Sequence, residues 1–414
     1  MKALLFIALF AQSLTVSALE NECGELAEID GTTYAISASG GDDTATIQCA
    51  LDSATRQGIG TVKLARGEFN VTSLKTVGFN GTFQGTSKAD TVLIIDNGFA
   101  TCGETYDDAA PLFEFAGGNV AVKFMTIDVD RPCDRYSSYA TLVFTQESCA
   151  KRTFFGVVDR VVLKGTFNNT SYGTAVAVRG IPECVEDGKG PLGTFKLNRS
   201  EIDTYALGVD TRLLGAAQVD VNFNDFKNIF DGVYIIDASQ NTTITNNSFS
   251  YYGFAVYAVT LTDLAPAKNR TVVHANVFSQ LQDARYNAIA VMVGNDAVRA
   301  EHSVVVTSNV INSIADGSQG KEQFGVYLFD TDGALVANNE FTGSNTIAVY
   351  VFSAYFNENT TSTSITGNSF GSATSALECD IYLDSSTTSS VVGPDQQASL
   401  CDFGRDNLVS RDQF

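Results

Sequence analysis

Three side chains in this 414-residue chain combine types that could move a proton beside an anionic group. The stretch TAVAVR ends on Arg179, and LGVDTR carries Asp210 two residues before Arg212. Residues two apart on a strand share a face. An arginine so placed could neutralise a uronate carboxylate during β-elimination, or act as the base if its pKa were lowered. Asp210 could donate or accept a proton in glycoside hydrolysis, given a second carboxylate as partner. The competing meaning of Asp210 with Arg179 and Arg212 is a surface ion pair that does no chemistry.

Tyrosines extend the same pattern. Short β-branched and aromatic stretches recur as VYII, VYAV, VYLF, VYVF and IYL. If the valine of each faces inward, the next residue faces out. Stacking the stretches gives an outward row of Ala177, Asp210, Tyr234, Tyr257, Ala290, Tyr327, Tyr350 and Tyr382. A second row runs Arg179, Arg212, Ile236, Val259, Met292, Phe329, Phe352 and Asp384. Rings in a line suit a glycan, since they stack on sugar faces while the phenols hydrogen-bond to hydroxyls. Tyr234, Tyr257, Tyr327 and Tyr350 are the candidate substrate contacts. Asp237 and Asp330, three residues after Tyr234 and Tyr327, point by parity inward or into the turn and read as turn residues. Cover by loops and a protein interface are the two other uses of such a row. The catalytic reading requires Arg179, Asp210, Arg212 and Tyr234 to share one open cleft.

Those rows exist only if the chain is a stack of repeats. The pattern apolar-x-x-Asn-x-Phe or its near variant ends at Phe226, Phe249, Phe278, Ile311, Phe341 and Phe370, at intervals of 23 to 33 residues. Each copy holds one of Asn224, Asn247, Asn276, Asn309, Asn339 and Asn368. Weaker copies without the asparagine end at Ile127, Phe167 and Ile202. No helical period recurs, and the interval is too short for a four-stranded blade. Short strands at a variable spacing suit a parallel β-helix, whose coils stack about 4.8 Å apart and shed extra residues as loops. The asparagines are expected to form an internal ladder at a bend, each amide bonding to the next coil.

The N-terminal segment differs. Asp42-Asp43-Thr44 are capping residues, and Ile47, Ala50, Leu51 and Ala54 mark one face of a helix. "GDDTATIQCALDSA…GTVKLARGEF" resembles the opening of the pectin-lyase-like right-handed β-helix superfamily, with Ile59, Ala65 and Phe69 in place of that pattern's Gly, Pro and Tyr. The resemblance, over roughly 36–390, implies an all-β, single-stranded right-handed parallel β-helix with an N-terminal capping helix over about 43–56. Coils would fill about 60–390, and 391–414 would cap the far end. The superfamily includes lyases, hydrolases, epimerases and non-catalytic surface proteins, so fold does not name the reaction. Its galacturonan-hydrolase signatures are absent as a series, and the Trp-Ile-Asp-His of pectate lyases is excluded because the chain has no Trp. Tyr252-Gly253-Phe254 begins the mannuronan-epimerase motif but continues Ala255-Val256, without its acid and histidine. Phe254 instead fits a packing position.

Lys2, an apolar run from Ala3 to Ala11 and Val16-Ser17-Ala18 read as a signal peptide over 1–18. The mature chain, 19–414, is then expected to be one secreted, extracellular domain, periplasmic or surface-held in a bacterium, with no membrane span. A net charge of −21 argues against nucleic acid, and lets an anionic polymer bind only through a local Arg/Lys patch or a bridging cation such as Ca²⁺. Asp107-Asp108 and the acidic stretch 128–134 are the candidate Ca²⁺ ligands, although their spacing matches no known loop. Eight cysteines in an exported chain suggest disulfides, with Cys23/Cys49 and Cys379/Cys401 stapling the two ends. Cys102, Cys133, Cys149 and Cys184 lie together between them. Sequons occur at Asn70, Asn80, Asn168, Asn169, Asn198, Asn241, Asn246, Asn269 and Asn359. Of the two histidines, His274 is placed outward on another face and His302 in a loop.

The sequence therefore points to a secreted, monomeric, carbohydrate-active β-helix acting on a polysaccharide as a lyase, epimerase or hydrolase. A non-catalytic extracellular β-helix that binds glycans or partners through the tyrosine face is the alternative.

Overall fold

The computed structural model describes residues 21–95, 109–129, 138–167, 172–212, 217–236, 241–260, 270–281, 288–293, 303–314, 324–344, 347–352, 360–371, 379–393 and 399–410. The expected leader, Cys102, Cys133, Asp107, Asp108, residues 130–134, Asp237, His302 and the sequons Asn168, Asn169, Asn269 and Asn359 lie outside them.

Three long sheets run the length of the molecule and form a parallel β-helix. One coil shows the construction. Gln218–Asn222 belongs to the first sheet, Asp225–Ile229 to the second and Asp231–Ile236 to the third. The next coil repeats them as Asn241–Thr245, Ser248–Tyr251 and Val256–Thr260, each paired in parallel with its predecessor. One pairing departs from this pattern, Ala27–Asp30 against Thr33–Ile36, an antiparallel hairpin at the start.

The repeated residues fall where stacking needs them. Phe226, Phe249 and Phe278 are buried and stack ring on ring, at 4.6 and 5.1 Å. The corner between the first and second sheets is made by one residue per coil in the left-handed region, among them Arg199, Phe223, Asn246, Ala275, Ser308 and Asn338. Just after it comes the asparagine ladder. Asn309 Nδ2 donates to Asn339 Oδ1 at 2.9 Å and to Val273 O at 2.9 Å, while Asn309 Oδ1 accepts from the backbone N–H and the amide of Asn276. The same bonds link Asn224, Asn247, Asn276, Asn339 and Asn368. The ladder is structural, and it satisfies buried backbone groups that the sharp corner would otherwise strand.

Glycine before valine has a steric cause. A Cβ on Gly232 would lie 2.4 Å from Ala255 O and 2.8 Å from the Phe249 ring, so the third sheet can begin there only without a side chain.

The expected helix spans Thr44–Gln57 and buries Ile47, Ala50, Leu51 and Ala54 over the open end of the stack. Its capping differs from the simplest reading. Asp42 Oδ1 accepts from the Thr44 N–H at 2.9 Å, whereas Asp43 turns away to accept from Ser39 N–H and Asn70 N–H, tying the helix start to the first coil. Cys23 is bonded to Cys49 and Cys379 to Cys401, as expected, and Cys149 to Cys184.

Candidate functional site

The candidate residues lie on the third sheet. Its strands Tyr172–Arg179, Leu207–Arg212, Asp231–Ile236, Val256–Thr260, Ile289–Val293, Phe324–Phe329, Ile347–Phe352 and Ile381–Leu383 lie side by side. Val176, Val209, Val233, Val256, Ile289, Val326, Val349 and Ile381 align and are wholly buried. Alternation then sends their successors to the other face. The whole predicted row is in register, Ala177 beside Asp210, then Tyr234, Tyr257, Ala290, Tyr327, Tyr350 and Tyr382. The second row aligns from Arg179 and Arg212 through Ile236, Val259, Met292 and Phe329 to Phe352.

At one end the row is polar. Arg212 Nε donates to Asp210 Oδ1 at 2.9 Å, and Arg179 Nη2 stands 3.7 Å from Asp210 Oδ2. The Arg212 guanidinium also lies 5.8 Å from the centre of the Tyr234 ring, within cation–π range. The four residues thus meet, but not in an open cleft. Asp210 is 0 % exposed, and the side chains of Arg179 and Arg212 are 19 % and 17 % exposed. The expectation of openness fails here because Asp210 is short and the two arginines reach back across it from the next row. Its predecessors Val143 and Ala177 pack with Ala109 and Ala140 as a small apolar cluster of their own.

Burial dominates the electrostatics. It pushes the Asp210 carboxyl up to about 7, against the opposing pull of Arg179. Asp231, at the start of the next strand, is also raised to about 7 by burial, partly offset by the Phe254 N–H that it accepts at 2.7 Å. The Tyr234 phenol rises to about 12, by burial first and then by Tyr257, with Asp231 and Asp210 adding to it and Arg212 opposing. Sequence reasoning missed Asp231. Its Asp-Gly pair reads as a turn, and its placement near Tyr234 depends on how the corner folds.

Beyond this end the row becomes aromatic. Tyr234 and Tyr257 stack at 4.9 Å, and Phe254 packs 4.9 Å from Tyr257, as a packing residue should. Ala290 interrupts the line. Tyr327 and Tyr350 then stack at 5.5 Å with 5° between their planes, and Tyr350, Tyr382 and Phe403 continue it at 5.0 and 5.3 Å. These tyrosines are half-buried, while Phe324 and Phe329 beside them are buried.

The remaining candidates sit elsewhere. His274 aligns with Asn222, Thr245 and Thr307 on the first sheet, exposed, with Nδ1 2.9 Å from Thr307 Oγ1. Asp330 is a buried turn residue in the left-handed region whose N–H donates to Phe352 O. Asp128, from the acidic stretch, is ion-paired with Lys164 at 3.4 Å. Among the described residues, no three His, Cys, Asp or Glu side chains converge as metal ligands would. Nor is any described helix long and apolar enough to cross a membrane.

No protein-family model matches the chain, and no curated protein does. Solved structures do. The chain is similar to the Dettilon tailspike protein gp208, with a TM-score of 0.54 at 10 % identity over 90 % of this chain and 68 % of that one. It also aligns with the A-module of the Azotobacter vinelandii mannuronan C-5 epimerase AlgE4 (TM-score 0.46, 15 % identity, 89 % and 94 % covered). A third match is PfbA, a surface adhesin of Streptococcus pneumoniae (0.41, 12 %, 80 % and 89 %). At 10 % identity the likeness to the tailspike concerns fold alone, and that fold is a parallel β-helix.

Proposed function

We propose that this chain acts outside the cell on a polysaccharide laid along the third sheet. The observation that carries the proposal is the unbroken register from the Arg179–Asp210–Arg212 cluster into the tyrosine row. Tyr234 and Tyr257, and beyond the gap at Ala290 Tyr327 and Tyr350, stack on one another in pairs and so offer ring edges and phenol hydroxyls along the sheet, which suits the hydroxyls of a chain of sugar rings. Arg179 and Arg212 supply the local positive charge that a protein of net charge −21 needs to hold a uronate. Asp210, raised to about 7 by burial, has the pKa for proton exchange at neutral pH, but it is closed from solvent, so the catalytic form of this proposal also requires Arg179 and Arg212 to move off it when substrate binds. In elimination or epimerisation it would exchange the proton beside the uronate carboxylate while an arginine neutralises that carboxylate. In hydrolysis it would need a second carboxylate as its partner, and Asp231, two residues before the inward Val233, does not share its face.

A second reading has its own support. Asp210 is closed from solvent and paired on both sides, which is how a purely structural ion cluster is built. The chain would then be an extracellular binding module, with the tyrosine row alone meeting the glycan. The three disulfides fit an oxidising location under either reading.

Incubation with pectin, alginate and neutral glycans separates the two. Unsaturated products, new reducing ends, or a changed ratio of uronate epimers by NMR, each vanishing in Asp210→Asn, support catalysis. Binding without product supports the module. Neither binding nor product across the panel overturns both.

A further inference from the structure

The corner between the first and second sheets holds a groove of about 520 Å³, within the range of small-ligand sites, far from the tyrosine row. Phe223, Asn246, Ser248, Ala275 and Val277 line it. Phe223, Asn246 and Ala275 occupy the same left-handed position on successive coils, with φ of 57°, 56° and 55°. The groove opens because the third of them is only a methyl.

Two features of this groove have no structural purpose. Phe223 is 62 % exposed in a conformation that bulky residues rarely adopt, so it is neither a core residue nor a natural turn residue. Its counterpart Phe124, also left-handed, is covered by the Arg160 guanidinium at 5.4 Å, and Val277 beside the groove is likewise 45 % exposed. Asn246 opens the sequon Asn246-Asn247-Ser248, and both Asn246 and Ser248 are exposed. Among the described residues the Asn246 side-chain amide makes no hydrogen bond, and neither do those of the sequon residues Asn198 and Asn241, whereas Asn70 Nδ2 donates to Gly41 O and Asn80 Nδ2 to Gly78 O; of the three without such a bond, Asn246 is the one that lines the groove.

We infer that Asn246 is an N-glycosylation site whose first sugars lie in this groove, with a ring face on Phe223. The chemistry is complementary on each side. A sugar's C–H face suits an exposed aromatic ring and Val277, and its hydroxyls and acetamide suit Ser248, Asp225 and Lys88 at the groove's edges. Stacking would also use the apolar surface that the strained Phe223 now shows to water. Attachment joins Asn246 Nδ2 to the first sugar's C1 from a lipid-linked oligosaccharide diphosphate donor, the amide giving up one proton and the lipid diphosphate leaving; the disulfides fit the secretory compartment where such a donor acts.

The test uses the full chain secreted from a eukaryotic host. Glycopeptide mass spectrometry with and without peptide:N-glycosidase should find Asn246 occupied, and a secreted folded protein with Asn246 unmodified overturns the proposal. Seating is read from the rate at which the glycosidase releases the Asn246 glycan from the native protein. Phe223→Ala should speed release several-fold at unchanged melting temperature. Phe223→Asn, which suits the left-handed turn, should do the same and covers the case in which the alanine variant folds poorly. Release at the wild-type rate from either folded variant shows that the glycan does not use the groove.

Discussion

Asp210 and Tyr234 are direct neighbours on adjacent strands, so a buried carboxyl and a phenol stand one strand step apart on the same face. Neither stands alone electrostatically. The phenol is raised in part by the carboxyl, and Arg212 touches both, through a hydrogen bond to one and its cationic face over the other. Any proton movement at Asp210 is therefore felt along the start of the tyrosine row.

If the carboxyl does the chemistry, activity must follow its titration. With Asp210 near 7, kcat/KM rises with pH through about 7 if Asp210 is the base, and falls through it if Asp210 is the acid. Asp210→Asn should lower the rate by about 10²–10³ and erase that limb of the profile. Arg179→Ala should raise the midpoint, because the Arg179 guanidinium is what favours the charged carboxylate against burial.

The same titration shapes stability. Asp210 and Asp231 sit near 7 in the fold against an ordinary 3.8, so the folded chain keeps protons that the unfolded chain has lost. Stability is thus highest below about pH 4 as far as these groups go, and declines as pH rises to about 7, by on the order of 4 kcal/mol at most per group. Melting temperatures should fall between pH 5 and pH 8. The net charge acts in the same direction, so the informative quantity is the flattening of the curve in Asp210→Asn and Asp231→Asn. A slope unchanged in both variants would show that neither carboxyl is held up by burial.

Glycan binding should be spread along the row. Tyr327→Ala and Tyr350→Ala should each weaken binding by about 1 kcal/mol, roughly fivefold in Kd, by isothermal calorimetry with the responding polysaccharide. The double variant should lose less than the sum, because the 5.5 Å stack already couples the two rings.

The asparagine ladder predicts a gradient of damage. Asn309→Ala removes four hydrogen bonds and leaves Asn276 and Asn339 short of partners, a loss of about 3–5 kcal/mol by denaturant titration. Asn368→Ala, at the ladder's end, removes three and should cost less.

Much of this was legible in the sequence because stacking imposes a period. A residue such as Asn276 repeats because its neighbours must satisfy the same corner, and Tyr327 falls beside Tyr350 because parity along a strand is strict. What leaves no period stayed hidden. The closure over Asp210 depends on which side chains lean across the sheet, and the approach of Asp231 to Phe254 depends on a corner. Which of Asp42 and Asp43 caps the helix with its side chain is of the same kind, settled by Asp43's contacts with Ser39 and Asn70.

A rod built of rungs has no centre to hold it, so it comes apart from its ends. The bonds Cys23–Cys49 and Cys379–Cys401 lie at those two ends, one tying the lid helix down and the other joining the third-sheet strands that finish the row. They act like the tips on a lace. With both intact, the lid helix and the last third-sheet strands stay pinned even when their hydrogen bonds open; after reduction, they become easy starting points for a protease or a pulling force.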